Sequence, residues 1–92
     1  MHLHARSIRY FDMIRRCGSI RDAARQLHVA SSAVNRQLLQ LEEEIGTPLF
    51  ERLSSGLRLT AAGQVFSRDV ITVLQGEQRL ATDLQRLATV AR

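Results

Sequence analysis

Residues 61–92 contain no proline, and their large apolar side chains recur with a fixed period. Phe66, Val70, Val73, Leu80, Leu84, Leu87 and Ala91 follow alternating spacings of four and three, broken only at Glu77 beside Gly76. That is the heptad seam of a helix that pairs with another helix. At 1.5 Å rise per residue the helix is roughly 45 Å long. The chain has 92 residues, one small domain at most, and no second helix long enough to cover such a seam. The simplest partner is a second copy of the chain, so a homodimer is expected. The alternative is that the helix packs on its own domain.

A hydrophobic fraction of 45% argues against disorder. No run of apolar residues is long enough for a membrane span. The opening MHLHARSIRY lacks the continuous apolar segment of a signal peptide. A single cysteine, Cys17, cannot form an internal disulfide, and together these features predict a cytoplasmic protein. The net charge is +4, carried entirely by arginine, and it is uneven. Residues 1–41 carry +5, residues 42–51 carry −4 and residues 52–92 carry +3. A basic chain with one acidic island points to an anionic partner met by part of the surface.

Ahead of the seam the period predicts three shorter helices. The first runs over residues 6–17, with Ile8, Phe11 and Ile14 on one face and Gly18 as its terminator. Ser19 starts the second, with Asp22 completing a variant capping box. This helix spans about two turns and ends near His28. The third buries Val34, Leu38, Leu41 and Ile45, then stops at Gly46 and Pro48. Ala23 and Ala24 are small because two helices joined by so short a turn must approach closely. The period then changes. Phe50–Leu53 and Leu57–Leu59 read as two short strands around a Ser54-Ser55-Gly56 turn. Such a hairpin must pack on the helices to be stable. Thr60 is the expected N-cap of the long helix. The division is therefore a helical and hairpin domain over 1–59 and a linker or dimerisation helix over 60–92.

Catalysis and metal binding find little support. His2 and His4 lie at the terminus, His28 is remote from them, and no HxxxH or CxxC spacing occurs, so no metal or cofactor is expected. Cys17 reads as a core thiol. Ser31 and Ser32 have neither a base nor an orienting acid, so an enzyme is not expected.

Nucleic acid is the better match. Two helices joined by a tight turn and followed by a hairpin make a winged helix-turn-helix, a mainly α fold with a two-stranded wing. The second helix of the pair enters the major groove by its N-terminal end. With the core stripe of residues 31–45 facing inward, Ser32, Arg36 and Gln40 point outward, Asn35 lies on the flank and Ser31 sits at the helix mouth. These side chains can reach base edges and phosphates. Glu42, Glu43 and Glu44 would repel phosphate, so only the N-terminal half should face DNA. They can equally be a solvated helix end with local arginine partners. Arg52 and Arg58 flank the wing turn, within reach of the backbone or minor groove.

Four segments carry a family resemblance: IRYFDMI, GSIRDAARQLHV, AVNRQLLQLEEEIGTPLFER and LRLTAAGQVF. They run in order without gaps over about residues 7–67. The chain resembles the DNA-binding domain of a LysR-type transcriptional regulator. The resemblance implies a winged helix-turn-helix on a long linker helix, homodimerisation through that helix, and recognition of an interrupted dyad in double-stranded promoter DNA. It maps readout to Ser31, Ser32, Asn35 and Arg36, and the wing to Arg52 and the Ser54–Arg58 loop with Ser55 at its tip. The dimer seam becomes Phe66, Val70, Val73, Leu80, Leu84 and Leu87. Three departures stand out, one being the shorter Ser31 in place of the usual glutamine, a frequent base contact. The usual cap serine is Ala30 here, so capping is expected to shift to Ser31. The usual serine further on is Asn35, which can bond adenine bidentately. The resemblance also implies a second region that binds a small co-inducer. The 92 residues do not include one, so the chain is expected to be the DNA-binding portion of a larger regulator.

Overall fold

The computed structural model describes residues 5–90, so His2, His4 and Ala91 lie outside the described residues. Three helices come first: α1 (Ala5–Cys17), α2 (Ile20–Leu27) and α3 (Ser31–Ile45). An antiparallel hairpin follows, β1 (Phe50–Leu53) and β2 (Gly56–Leu59), and then α4 (Ala61–Val90). This is a winged helix-turn-helix with a long C-terminal helix.

The helix ends obey local chemistry. Gly18, at φ +72, closes α1 by donating its N–H to the Ile14 carbonyl at 2.8 Å. Ser19 Oγ accepts from the Asp22 N–H at 2.9 Å. Only this half of the expected capping box forms, because the Asp22 carboxylate turns to Arg25 at 3.6 Å. α2 ends on His28, whose φ of 58 lets the chain turn directly into α3. Thr60 Oγ1 accepts from the Gly63 N–H at 3.0 Å and donates to the Pro48 carbonyl at 2.7 Å. One hydroxyl thus caps α4 and ties it to the wing entry.

Ala23 and Ala24 are buried between α1 and α3, the close approach their size allows. Val34, Leu38 and Leu41 form the inward stripe of α3, whereas Ile45 is only half-buried. Phe11 carries the other side of the core. Its ring lies 5.2 Å from Phe50 of β1 and 4.8 Å, edge-on, from Phe66 of α4. Val70 of α4 is 3% exposed in the same core.

That burial changes the reading of the seam. Val70 is enclosed by its own domain and so does not stand on a free seam, while Phe66 is partly buried against Phe11. Three short helices leave the core open on one side, and the first turns of α4 close it. Leu80, Leu84 and Leu87 are 59%, 57% and 66% exposed, and Val73 is exposed too. Glu77, the break in the period, pairs with Arg9 of α1 at 2.9 Å. Both groups are well exposed, so the pair orients more than it stabilises.

Gly56 is not in the turn, as its sequence position implied. It opens β2 opposite Leu53, and Ser54-Ser55 alone make the turn. Its φ of +132 brings the strand against the α1–α2 turn, where Leu57 N–H donates to the Gly18 carbonyl at 3.0 Å. A Cβ on Gly56 would meet that carbonyl oxygen at 2.7 Å. Gly63 is more constrained still, since its Cβ would stand 2.0 Å from the Leu49 carbonyl oxygen. Glu42 has neither an arginine partner among the described residues nor a free carboxylate. Its Oε2 accepts from the N–H groups of Leu49 at 2.7 Å and Phe50 at 3.3 Å, fixing the strand entry to α3.

Two predictions follow from these contacts. Gly63→Ala is expected to destabilise the fold by about 3 kcal/mol, because the clash is with backbone. Gly76→Ala, with nothing within 4 Å of its new Cβ, should instead gain about 1 kcal/mol in helix propensity. Urea unfolding of both variants checks the opposite signs. Glu42→Ala should cost about 2 kcal/mol by orphaning two part-buried N–H groups, while Glu43→Ala should leave the midpoint unchanged.

Candidate nucleic-acid interface

The helix mouth of α3 is built from backbone. Ala30 holds the N-cap position at φ −70 and ψ 144, and no side chain bonds the first-turn N–H groups. The expected shift of the cap to Ser31 does not occur, because Ser31 is already the first helical residue. Ala33 and Val34 N–H groups reach the Ala30 carbonyl at 3.0 and 3.2 Å. The N–H groups of Ser31 and Ser32 precede them at the positive end of the helix dipole, a geometry that suits phosphate.

The outward face carries the side chains the period assigned to it. Ser31, Ser32, Arg36 and Gln40 are exposed, and Asn35 is half-buried on the flank. Leu39 is 51% exposed on the same outward face between Arg36 and Gln40. In the Leu38-Leu39 pair the first side chain is core and the second is surface. The doublet was the available signal for a solvent-facing apolar group, which can touch a thymine methyl.

The wing stands beside this face. Arg52 Nη2 donates to Asn35 Oδ1 at 2.7 Å, joining β1 to α3 across seventeen residues. Arg58 sits opposite Glu51 in the strand register, and its guanidinium bonds the Glu51 carboxylate. The two wing arginines are therefore not equivalent. Arg58 shares its charge with an acid, whereas Arg52 meets a neutral amide. Ser55 is exposed at the turn.

Acids elsewhere sit on other arginines. Asp12 holds Arg15 at 2.6 Å and Arg16 at 3.8 Å on α1, and Glu77 holds Arg9. Among the described residues Arg36 and Arg52 form no ion pair. Two arginines without an acidic partner are therefore brought together where the mouth of α3 meets the wing. Among the described residues no group of three His, Cys, Asp or Glu side chains is placed to hold a metal, and no helix is long and apolar enough to cross a membrane.

Known proteins share this arrangement. The model of the bacterial regulatory helix-turn-helix protein, lysR family, matches residues 5–64. The HTH-type transcriptional regulator TfdT of Cupriavidus pinatubonensis is 36% identical over 86 residues, covering 94% of this chain and 38% of that protein. ClcR of Pseudomonas putida, also an HTH-type transcriptional regulator, is 42% identical over 69 residues, covering 75% of this chain and 24% of ClcR. The chain therefore spans well under half the length of these relatives. Among solved structures, the CbnR DBD–DNA complex superposes with a TM-score of 0.83 at 36% identity, over 98% of this chain and 100% of that one. The BenM DBD/catB site 1 DNA complex gives 0.88 at 31% identity, over 94% and 97%. With its helix-turn-helix, wing and long helix all matched, the chain belongs to the LysR family of bacterial helix-turn-helix regulators.

Proposed function

We propose that this chain is the sequence-specific, double-stranded DNA-binding unit of a transcriptional regulator and works as a homodimer. The observation that carries the reading is the mouth of α3, where uncapped N–H groups, two serines and Arg36, which has no ion pair among the described residues, face outward beside the wing. Ser31, Ser32, Asn35 and Arg36 face the major groove, and Arg52, Ser55 and Arg58 lie toward the backbone or minor groove. The two solved structures above are both DNA complexes of similar domains, which supports duplex DNA as the partner. The acidic end of α3 points away from phosphate. Promoter DNA lies in the bacterial cytoplasm, and the role requires no catalytic step. A small-molecule co-inducer would act through a further region of the full regulator.

Dimerisation is proposed through the distal half of α4, where Leu80, Leu84 and Leu87 expose a continuous apolar row. Val73 lies at its near end, and Phe66 can border it from the core side. Two half-sites on one face of B-DNA then imply a spacing near a multiple of about 10 base pairs. The same row also suits a different protein, which makes a winged-helix interaction module the second reading. Sedimentation separates them, since a clean monomer at micromolar concentration would favour the second.

Arg36→Ala is expected to weaken binding about tenfold on every duplex tested, with base preference retained. Affinity of the parent chain should fall steeply with salt as counterions are released, and a flat response in titrations across ionic strength would contradict DNA as the partner. Leu84→Glu should shift sedimentation toward monomer and lower DNA affinity together. A variant that stays dimeric would place the pairing surface elsewhere.

A further inference from the structure

We propose that Asn35 is a positioning residue for Arg52: it holds the wing arginine beside α3, poised for the DNA backbone, and does not itself read a base. The inference rests on the DNA-binding reading above and assigns a different role to one of its residues.

The contact has only one chemically consistent form. An arginine guanidinium has donors and no acceptor, so the Asn35 oxygen must face it, as the 2.7 Å Nη2–Oδ1 bond has it. Bidentate reading of adenine needs the same amide edge, with Oδ1 accepting from the base and Nδ2 donating to it. A cationic side chain already lies against that oxygen. Asn35 is also half-buried on the flank of α3, whereas Ser32 and Arg36 are exposed on its outward face. Its side chain reaches sideways to the wing.

What Arg52 gains is order without loss of charge. Its partner is neutral, so the full positive charge and four of five N–H donors stay available for phosphate. Arg58, the other wing arginine, is paired with Glu51. A free arginine gives up much rotamer freedom when it engages a ligand, and one already held in place gives up less. The 2.7 Å bond therefore makes Arg52 the preorganised cation of the wing.

A double-mutant cycle on the 92-residue chain tests this, using a duplex selected from a random pool. Arg52→Ala should lower affinity about tenfold and reduce the salt slope by about one. Asn35→Ala should cost about fivefold on all sequences and leave base preference unchanged. In the Arg52→Ala background, Asn35→Ala should have no further effect. Asn35→Asp keeps an acceptor for Arg52 but neutralises it, so the salt slope should fall although the arginine remains. Equal thermal midpoints for all variants confirm that the fold is intact. Additive losses, or a changed base preference in Asn35→Ala, would overturn this inference while leaving DNA binding in place. Failure of the parent chain to bind any duplex would overturn the functional reading, and this inference with it.

Discussion

The ring of Phe11 is where the separate pieces of the molecule meet. The chain has three phenylalanines, one each on α1, β1 and α4, and Phe11 touches both others. Such aromatic pairs contribute roughly 0.5–1.5 kcal/mol each beyond the area they bury. Their larger effect is geometric. The helix-turn-helix alone has an open side, and the hairpin alone is too small to be stable. Docking Phe50 and Phe66 on one ring closes the first and supports the second. The angles of wing and long helix relative to α3 are then set by the same packing.

Around that junction the tight contacts are backbone to backbone. Gly56 lies against the Gly18 carbonyl and Gly63 against the Leu49 carbonyl, with no room for a Cβ at either. Glu42 and Thr60 add side-chain bonds to the same wing entry, from α3 and α4 respectively. The hairpin is therefore fastened at its Phe50–Leu59 end by α3 and α4 and beside its turn by the α1–α2 turn, while Ser54-Ser55 stay exposed. A ligand touching Ser54-Ser55 therefore meets a hairpin held at both ends.

Features that depend on local chemistry were legible in the sequence. Gly18, Ser19, Gly46 and Thr60 mark helix ends through their own dihedrals or hydroxyls, and the inward stripe of α3 follows from its period. Features that depend on distant partners were not. Periodicity identified an apolar face on α4 but not what covers it, so Val70 and Phe66 read like Leu84 although only the latter stays uncovered. The acidic triplet gave no sign that Glu42 differs from its neighbours, because the N–H groups it binds lie seven and eight residues away. Within the candidate interface, the outward side chains of α3 were readable from spacing. The Asn35–Arg52 bond was not, since seventeen residues and a strand register separate its ends.

Ala30 at the mouth of α3 has an energetic meaning of its own. A serine or aspartate there would stabilise the free helix by about 1 kcal/mol, and alanine forgoes this. The first turn of α3 is left incomplete in isolation, so an anion arriving at its N–H groups would finish the helix and bind by the same contacts. Ordering of that turn and affinity become one quantity. The unliganded domain is held slightly below its attainable stability at the place where a partner can make up the difference.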